Sequence, residues 1–400
     1  MPTTRTYRLP KDSKAWQQAV DSVASLLPHD THVHDFDALE SLPIFALIVV
    51  LPAHVPALDI QHYIQSWVDE QPNWHLVTVA EDDGASALTI ELTHETVTTA
   101  PMSSVQPVVP AHVFRYLLVP VTETVMHPAK KTAAAHIIDD QLTTRLRQDL
   151  AKHYSETQTA NHDASASSNL VDCHILSVGH MLRSHKLACF DMDSTLIEQE
   201  VIVELAKTAG IGDEVERITE SAMRGEIDFD ESFVQRVALL RGIPTTVLDE
   251  VCARLTLSIG ARTTIRALKS LGYHTVLVSG GFTYFANYIA EQLGIDEVHA
   301  NDLDIEDGEV TGHVQLPIIN GDKKAAIVVH TAERLGIEMS QVVCIGDGAN
   351  DLPMMALADL GIAYHAKPIV QARADAAINV TGLEGVLYAL GYPALNTVVE

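Results

Sequence analysis

Asp191 and Asp193 stand one residue apart at the end of Leu187-Ala188-Cys189-Phe190, a short apolar run with no polar helical face. Such a run predicts a buried strand that stops at the first aspartate. At a strand's carboxyl end the chain turns, so carboxylates with this spacing can converge on one crevice, and in open parallel sheets that edge is where ligands sit. Two like charges this close repel, and a divalent cation relieves them. Alone, the pair reads more simply as an ordinary solvated turn. The rest of the chain decides between the two.

Two more predicted strands end in polar loops. Tyr273-His274-Thr275-Val276-Leu277-Val278 stops at Ser279-Gly280-Gly281, and Gln341-Val342-Val343-Cys344-Ile345 stops at GDGANDLPMM, residues 346–355. A helix predicted over Lys323 to Leu335 carries Lys324 at its start. On one sheet edge, Asp191, Asp193 and Asp347 would supply oxygen ligands, Ser279 a hydroxyl beside Gly280 and Gly281, and Lys324 a point charge. Mg²⁺ suits such a site, because it accepts few carboxylates together with waters and a phosphate oxygen. Ser279, the glycine amides and Lys324 can hold the other phosphate oxygens. Phosphoryl transfer needs mostly positioning and charge neutralisation. Asp191 can attack phosphorus in line to form an aspartyl-phosphate. Asp193 would protonate the leaving alkoxide and then take a proton from the hydrolysing water.

The elements that must position these groups follow from the alternation of patterns. Residues 200–257 read as four helices: Glu200 to Thr208, Asp213 to Arg224, Asp230 to Leu240, and one opened by Pro244 and running to Arg254. Glycine follows each of the first three, and Pro stands at the first turn of the fourth. Four helices placed straight after the first strand predict an inserted cap. Helix-strand pairs then resume, which predicts a doubly wound parallel sheet of Rossmann-like α/β class over 184–390.

Residues 1–40 carry little pattern and read as an extension; His29 to Asp35 is a histidine-rich polar loop. Between 41 and 180 the order changes. Phe45 to Leu51 and Trp74 to Val79 read as strands around an amphipathic helix, Leu58 to Val68. A turn at Asp82-Asp83-Gly84 then leads to a strand at Ala87 to Leu92. Phe114 to Val119 is strand-like, Thr132 to Glu156 is helical, with Ile138, Leu142, Leu146 and Leu150 on one face, and Leu170 to Val178 returns as a strand. This predicts a small α+β domain.

At 400 residues the chain is too long for one ordinary core, and 47% hydrophobic with 20% charged residues predicts a soluble, globular protein. A net charge of −27 argues against a nucleic-acid partner, since phosphate backbones require basic surfaces. It leaves room for a small phosphorylated substrate. The four cysteines show no metal-type pairing and read as reduced thiols. The N-terminal residues lack an apolar core of signal-peptide length, and Leu42 to Ala53 is too short to span a bilayer. No membrane association and a cytoplasmic location are expected.

The pieces DMDST (191–195), SGG (279–281), Lys324 and GDGAND (346–351), in this order, resemble the haloacid dehalogenase superfamily, and within it the phosphoserine phosphatases, from about 185 to 385. The resemblance implies that Asp191 is the nucleophile and Asp193 the acid/base and the source of a backbone-carbonyl metal ligand, with Asp347 as third ligand. It implies that Asn350 touches phosphate or nucleophile and that Asp351 supports the site from behind. In the family, a glutamate after DxDST and an arginine on the third cap helix read the substrate's ammonium and carboxylate; these match Glu200 and Arg236. Met223 and Phe229 match the apolar cap residues that shield the site. The implied partner is a small phosphorylated amino acid.

Residues 41–180 resemble, in element order alone, the ACT-like modules of amino-acid metabolism. Such modules bind amino acids, which would make L-serine an inhibitor. A domain that only packs, or that makes a homodimer, explains the same order. Two rivals to simple hydrolysis follow from the same residues: phosphotransfer to an alcohol such as homoserine, and a serine-sensing protein with a vestigial phosphatase core.

Overall fold

The computed structural model describes residues 14–26, 42, 44–54, 57–70, 74–79, 108–120, 145–146, 148–150, 152–153, 171–224 and 226–392. The chain divides into two compact units, Met1–Ser184 with Asp375–Glu400, and His185–Ala374.

In the first unit, strand β1 (Phe45–Pro52) is apolar throughout and buried on both faces, so both sides of its sheet need cover. It lies inside a four-stranded sheet with β2 (Trp74–Val79), β3 (Ala111–Pro120) and β4 (Asp172–Ser177), in the order β2-β3-β1-β4. Every pairing is antiparallel. Helix α2 (Ala57–Asp69) joins β1 to β2, helical residues 145–146, 148–150 and 152–153 lie between β3 and β4, and the short helix α3 (Val178–Leu182) follows β4. This is the split β-α-β arrangement of ferredoxin-like folds.

Leu47, Val49 and Leu51 pack with Ile64, Trp67, Leu146 and Leu150 on one face, and Trp67 Nε1 donates to Asp149 Oδ2 at 3.1 Å. Ile138 and Leu142, the expected strand at Ala87 to Leu92, and the loop His29 to Asp35 lie outside the described residues. Helix α1 (Lys14–Leu26) falls where the sequence shows little pattern. Its buried stripe is Trp16, Ala19, Val20 and Val23, at helical spacing, and it packs on β2 and β3.

Residues 375–392, read from the sequence as the end of the second domain, group with the first unit instead. Polar contacts help to tie them there. Buried Asp172 accepts hydrogen bonds from the backbone of Asn379 and Val380, both at 2.9 Å to Oδ2. Glu384 Oε1 accepts from Val109 N at 2.9 Å and Gly382 N at 3.1 Å. Arg115 Nη1 donates to the Gly391 carbonyl.

Glu384 is fully buried, and its Oε2 has no hydrogen-bond partner among the described residues. Burial pushes its pKa up to about 7, against three backbone hydrogen bonds that lower it. The folded state therefore holds this proton more tightly than the unfolded one, and stability is lost as pH rises from about 4.5 to about 7. The span corresponds to roughly 3 kcal/mol at most. The melting temperature of the wild type should therefore fall more steeply between pH 5 and pH 7 than that of Glu384→Gln. Parallel curves would exclude an ionising Glu384 as the cause.

In the second unit, strands β5 (Leu187–Phe190), β6 (His274–Phe282), β7 (Glu297–Asn301), β10 (Val342–Gly346) and β11 (Leu360–Tyr364) form a parallel sheet in the order β11-β10-β5-β6-β7. Leu187, Ala188, Cys189 and Phe190 are all buried, as a central strand requires. Helices α8 (Ala261–Ser270), α9 (Thr283–Leu293), α10 (Gly321–Leu335) and α11 (Leu352–Leu357) pack on this sheet.

Between β5 and α8 come the helices α4 (Val201–Ala209), α5 (Gly212–Met223), α6 (Phe229–Ala238) and α7 (Thr245–Cys252). A hairpin of β8 (Leu303–Glu306) and β9 (Glu309–Val314) turns at Asp307-Gly308, where both φ values are positive, 52° and 81°. That is the pattern of a type I′ turn. The hairpin meets the connection from α6 to α7 through Gly242 N to Val310 O and Thr245 N to Gly308 O, both 2.8 Å. Among the described residues no helix is long and apolar enough to cross a membrane.

Candidate active site

Three loops gather at the carboxyl ends of β5, β6 and β10. Asp191 continues the β5 ladder by one bond, its N–H donating to the Ile345 carbonyl at 2.9 Å. The following turn is tight: the Met192 carbonyl accepts from the N–H groups of Thr195, Leu196 and Ile197. Asp191 is 5% exposed. Its Oδ1 accepts from Met192 N at 2.8 Å and lies 2.6 Å from Lys324 Nζ. Asp193 turns away, its Oδ1 accepting from Val201 N at 3.2 Å at the first residue of α4. Thr195, fully buried, donates to Asp347 Oδ1 at 3.2 Å and so ties the first loop to the third. The sequence displays Thr195 within DMDST, but nothing in its spacing reveals that role.

Lys324 has no exposed surface. Its Nζ sits between Asp191 Oδ1 and Asp351 Oδ1, the latter at 2.7 Å. Asn320 caps α10, its side chain accepting from Lys323 N, and so sets where Lys324 enters the site. Asp351 is equally buried and accepts from Gly348 N at 3.0 Å. A Cβ on Gly346 would stand 2.4 Å from Asp351 Cγ, so only glycine leaves that carboxylate its place.

Carboxylate oxygens of Asp191, Asp347 and Asp351 all lie within 4.8 Å of one another. Two of these, Asp191 and Asp347, are among the ligands expected from the sequence, in which Asp193 contributes through its backbone carbonyl. Asp351 stands on the lysine's other side, and Asp193 is drawn off by the α4 amide.

Burial drives the Asp191 carboxyl well above its ordinary range, with the Asp351 charge adding to it and Lys324 opposing. Burial and then Glu200 push Asp193 up to about 8. Burial and then Asp351 push Asp347 up to about 7. Burial alone would lower Lys324, but the two aspartates outweigh it and raise it. One ammonium thus faces several crowded carboxylates, an all-oxygen donor set with excess negative charge, which fits a hard divalent cation.

Strand β6 does not stop at Ser279 as the sequence suggests. It runs through both glycines to Phe282, which pairs with Asn301, and a register shift after Val278 absorbs the bend. Asn301 holds this stretch by donating to the Gly280 carbonyl at 2.9 Å and accepting from Ile319 N at 2.8 Å. Ser279 is buried, and its Oγ accepts from Gly281 N at 2.8 Å. Ser279 Oγ and Asp193 Oδ2 each lie 3.1 Å from where a Cβ on Gly281 would be. The second loop therefore meets the first. Asn301 carries no motif signal, and sequence reasoning missed it.

The helices above supply the remaining groups. Phe229 Cζ lies 3.7 Å from the position of a Cβ on Gly280, so this ring covers the glycine loop. It stacks on Phe233, which packs on Phe282. Arg236 is half-buried on α6, its Nε donating to the Ser232 carbonyl at 3.4 Å. Burial lowers its pKa, while the charges of Glu200 and Asp193 raise it. Glu200 is exposed and accepts from Ser194 Oγ at 3.1 Å. Asn350 is half-buried in the third loop, its carbonyl 2.9 Å from where a Cβ on Gly321 would be, at the first residue of α10. Met223 ends α5, and its side chain is outside the described set.

Residues 185–359 match the model of the haloacid dehalogenase-like hydrolase family. The chain is 47% identical over 212 residues to the phosphoserine phosphatase of Archaeoglobus fulgidus, a match that spans 53% of this chain and 62% of that protein. It is 49% identical over 212 residues to the phosphoserine phosphatase of a Polaromonas species, covering 52% of this chain and 90% of that protein. The crystal structure of a probable phosphoserine phosphatase from Vibrio cholerae, 25% identical, superposes with a TM-score of 0.58 and covers 93% of each chain. With the carboxylate-lysine cluster at the sheet edge and this identity across nearly the whole of a shorter relative, the chain belongs to the phosphoserine phosphatase family of haloacid dehalogenase-like hydrolases.

Proposed function

We propose that this chain hydrolyses O-phospho-L-serine to L-serine and phosphate through an aspartyl-phosphate on Asp191. One observation carries the reading. The buried Asp191 carboxylate has Oδ1 locked by Met192 N and Lys324, while its Oδ2 takes no hydrogen bond from the described residues. That oxygen is left to attack.

The carboxylates of Asp191 and Asp347 and the backbone carbonyl of Asp193 would hold Mg²⁺, with Asp351 orienting Lys324 from behind. When bound, the ion supplies neutralisation of the charge on the carboxylates and phosphoryl oxygens. Ser279, the Gly280 amide, Lys324 and Asn350 hold the phosphoryl group. Asp191 Oδ2 forms a bond to phosphorus as the phosphorus–serine oxygen bond breaks, and Asp193 gives its proton to the departing oxygen. A water then attacks phosphorus, Asp193 takes its proton, and the Asp191 carboxylate is released with phosphate.

Glu200 pairs with the substrate ammonium, and Arg236 forks its carboxylate. Phe229, whose ring covers the glycine loop, keeps water out. The cysteines, buried and unbridged, support a reducing cytoplasmic setting. The β-α-β-β-α-β order of the first unit supports an amino-acid-binding module through which L-serine inhibits, or a homodimer contact.

Phosphate release should require Mg²⁺ and favour O-phospho-L-serine over a panel of small phosphate esters, measured with and without L-serine. Arg236→Ala should raise KM for phosphoserine by about 10- to 100-fold, the loss expected for a charged, bidentate contact. A carboxylate-free ester should change by no more than about twofold on the same argument. Equal rises on both substrates would remove Arg236 as the carboxylate reader, and no preference for phosphoserine would remove the assignment itself.

A further inference from the structure

Asp230 and Asn320 meet across the mouth of the site. Asp230 lies in the first turn of α6, beside Phe229, and Asn320 is the cap residue of α10, four residues before Lys324. Asn320 Nδ2 donates to Asp230 at 3.1 Å to Oδ1 and 3.4 Å to Oδ2. The other end of the same amide, Oδ1, accepts from Lys323 N at 3.1 Å. One side chain thus fixes the start of α10 and reaches the inserted helices at once.

Asp230 is not occupied by capping its own helix. Asp228 does that, accepting from Glu231 N at 2.8 Å. The base of the helical insert is held differently, by backbone bonds: Gly242 N to Val310 O, Thr245 N to Gly308 O, and Glu198 N to Thr256 O. Backbone ties at the base and an exposed side-chain pair at the tip describe a lid with a fixed hinge and a breakable fastening. The ring it positions is Phe229, over Gly280.

We propose that Asp230 and Asn320 are positioning residues that latch the cap over the Ser279–Gly281 loop, and that the strength of this pair sets the efficiency of phosphoserine turnover. The turnover part rests on the proposed function; the latch itself does not.

Asn320→Asp separates the two duties of Asn320. Aspartate caps a helix as well as asparagine does, but it sets a carboxylate against Asp230. The expected result is a fall in kcat/KM for O-phospho-L-serine of about tenfold, with a comparable rise in amide hydrogen exchange over residues 229–238. Asp230→Asn alone keeps an acceptor for the Asn320 amide and should stay within about twofold of wild type on the same grounds. The double variant Asp230→Asn/Asn320→Asp exchanges donor and acceptor and should restore both readouts.

A double variant as impaired as Asn320→Asp would place the effect in the α10 start and overturn the latch, as would unchanged exchange in Asn320→Asp. If the wild type releases no phosphate from phosphoserine, the proposed function fails while the exchange data still decide the latch.

Discussion

Asp191→Asn should lower phosphate release by about four orders of magnitude while the protein stays folded, because an amide oxygen cannot form the covalent intermediate. The substitution is nearly isosteric. Its oxygen can still accept from Met192 N and from Lys324, the two contacts that hold Oδ1. Electrostatics favour the variant in the metal-free protein, since burial and Asp351 both oppose the charge on Asp191. Its thermal midpoint should therefore equal or exceed that of the wild type. Rapid acid quench after mixing with labelled phosphoserine should trap labelled wild-type protein and leave the variant unlabelled. Turnover above about 1% of wild type, with a quenched protein that carries no label in either case, would leave no place for a covalent step on Asp191.

The sequence made this nucleophile legible because three predicted strands stop at polar loops, and the structure sets those loops on adjacent strands β10, β5 and β6. The hairpin at Asp307-Gly308 has a local cause, the positive φ that both positions adopt. What stayed hidden depends on distant partners. Asp172 and Glu384 act through residues more than 200 positions away, so no spacing rule reveals that the C-terminal stretch belongs with the first unit. Helix α1 has an apolar stripe of four residues within a polar segment, and its meaning appears only once a sheet face needs cover. The glycines of SGG read as a strand's end, yet Asn301 pairing lets the strand continue through them. Within GDGAND, sequence offers two acids, and the choice of which one faces Lys324 rests on the missing side chain of Gly346.

Lys324→Met should cost stability as well as activity, and the stability loss is the more discriminating measurement. Lys324 and Asp351 have no exposed surface, and Asp191 is 5% exposed. Removing the ammonium leaves two buried carboxylates facing each other, and breaking a buried ion pair at one side typically destabilises by about 3–5 kcal/mol. The urea midpoint of the metal-free variant should drop accordingly, and phosphate release should fall by about a thousandfold with the loss of a phosphate-binding charge. The deficit has a predictable pH dependence. Lys324 stabilises the fold through the charge opposite it, so the gap between variant and wild type should narrow as pH falls and Asp191, whose carboxyl burial holds well above its ordinary range, takes up a proton. Adding Asp351→Asn to Lys324→Met removes one of the two stranded charges and should recover part of the stability with none of the activity. If the methionine variant unfolds at the wild-type urea concentration across this range, the lysine does not carry the charge balance of the site, and the carboxylates must be satisfied by something other than Lys324.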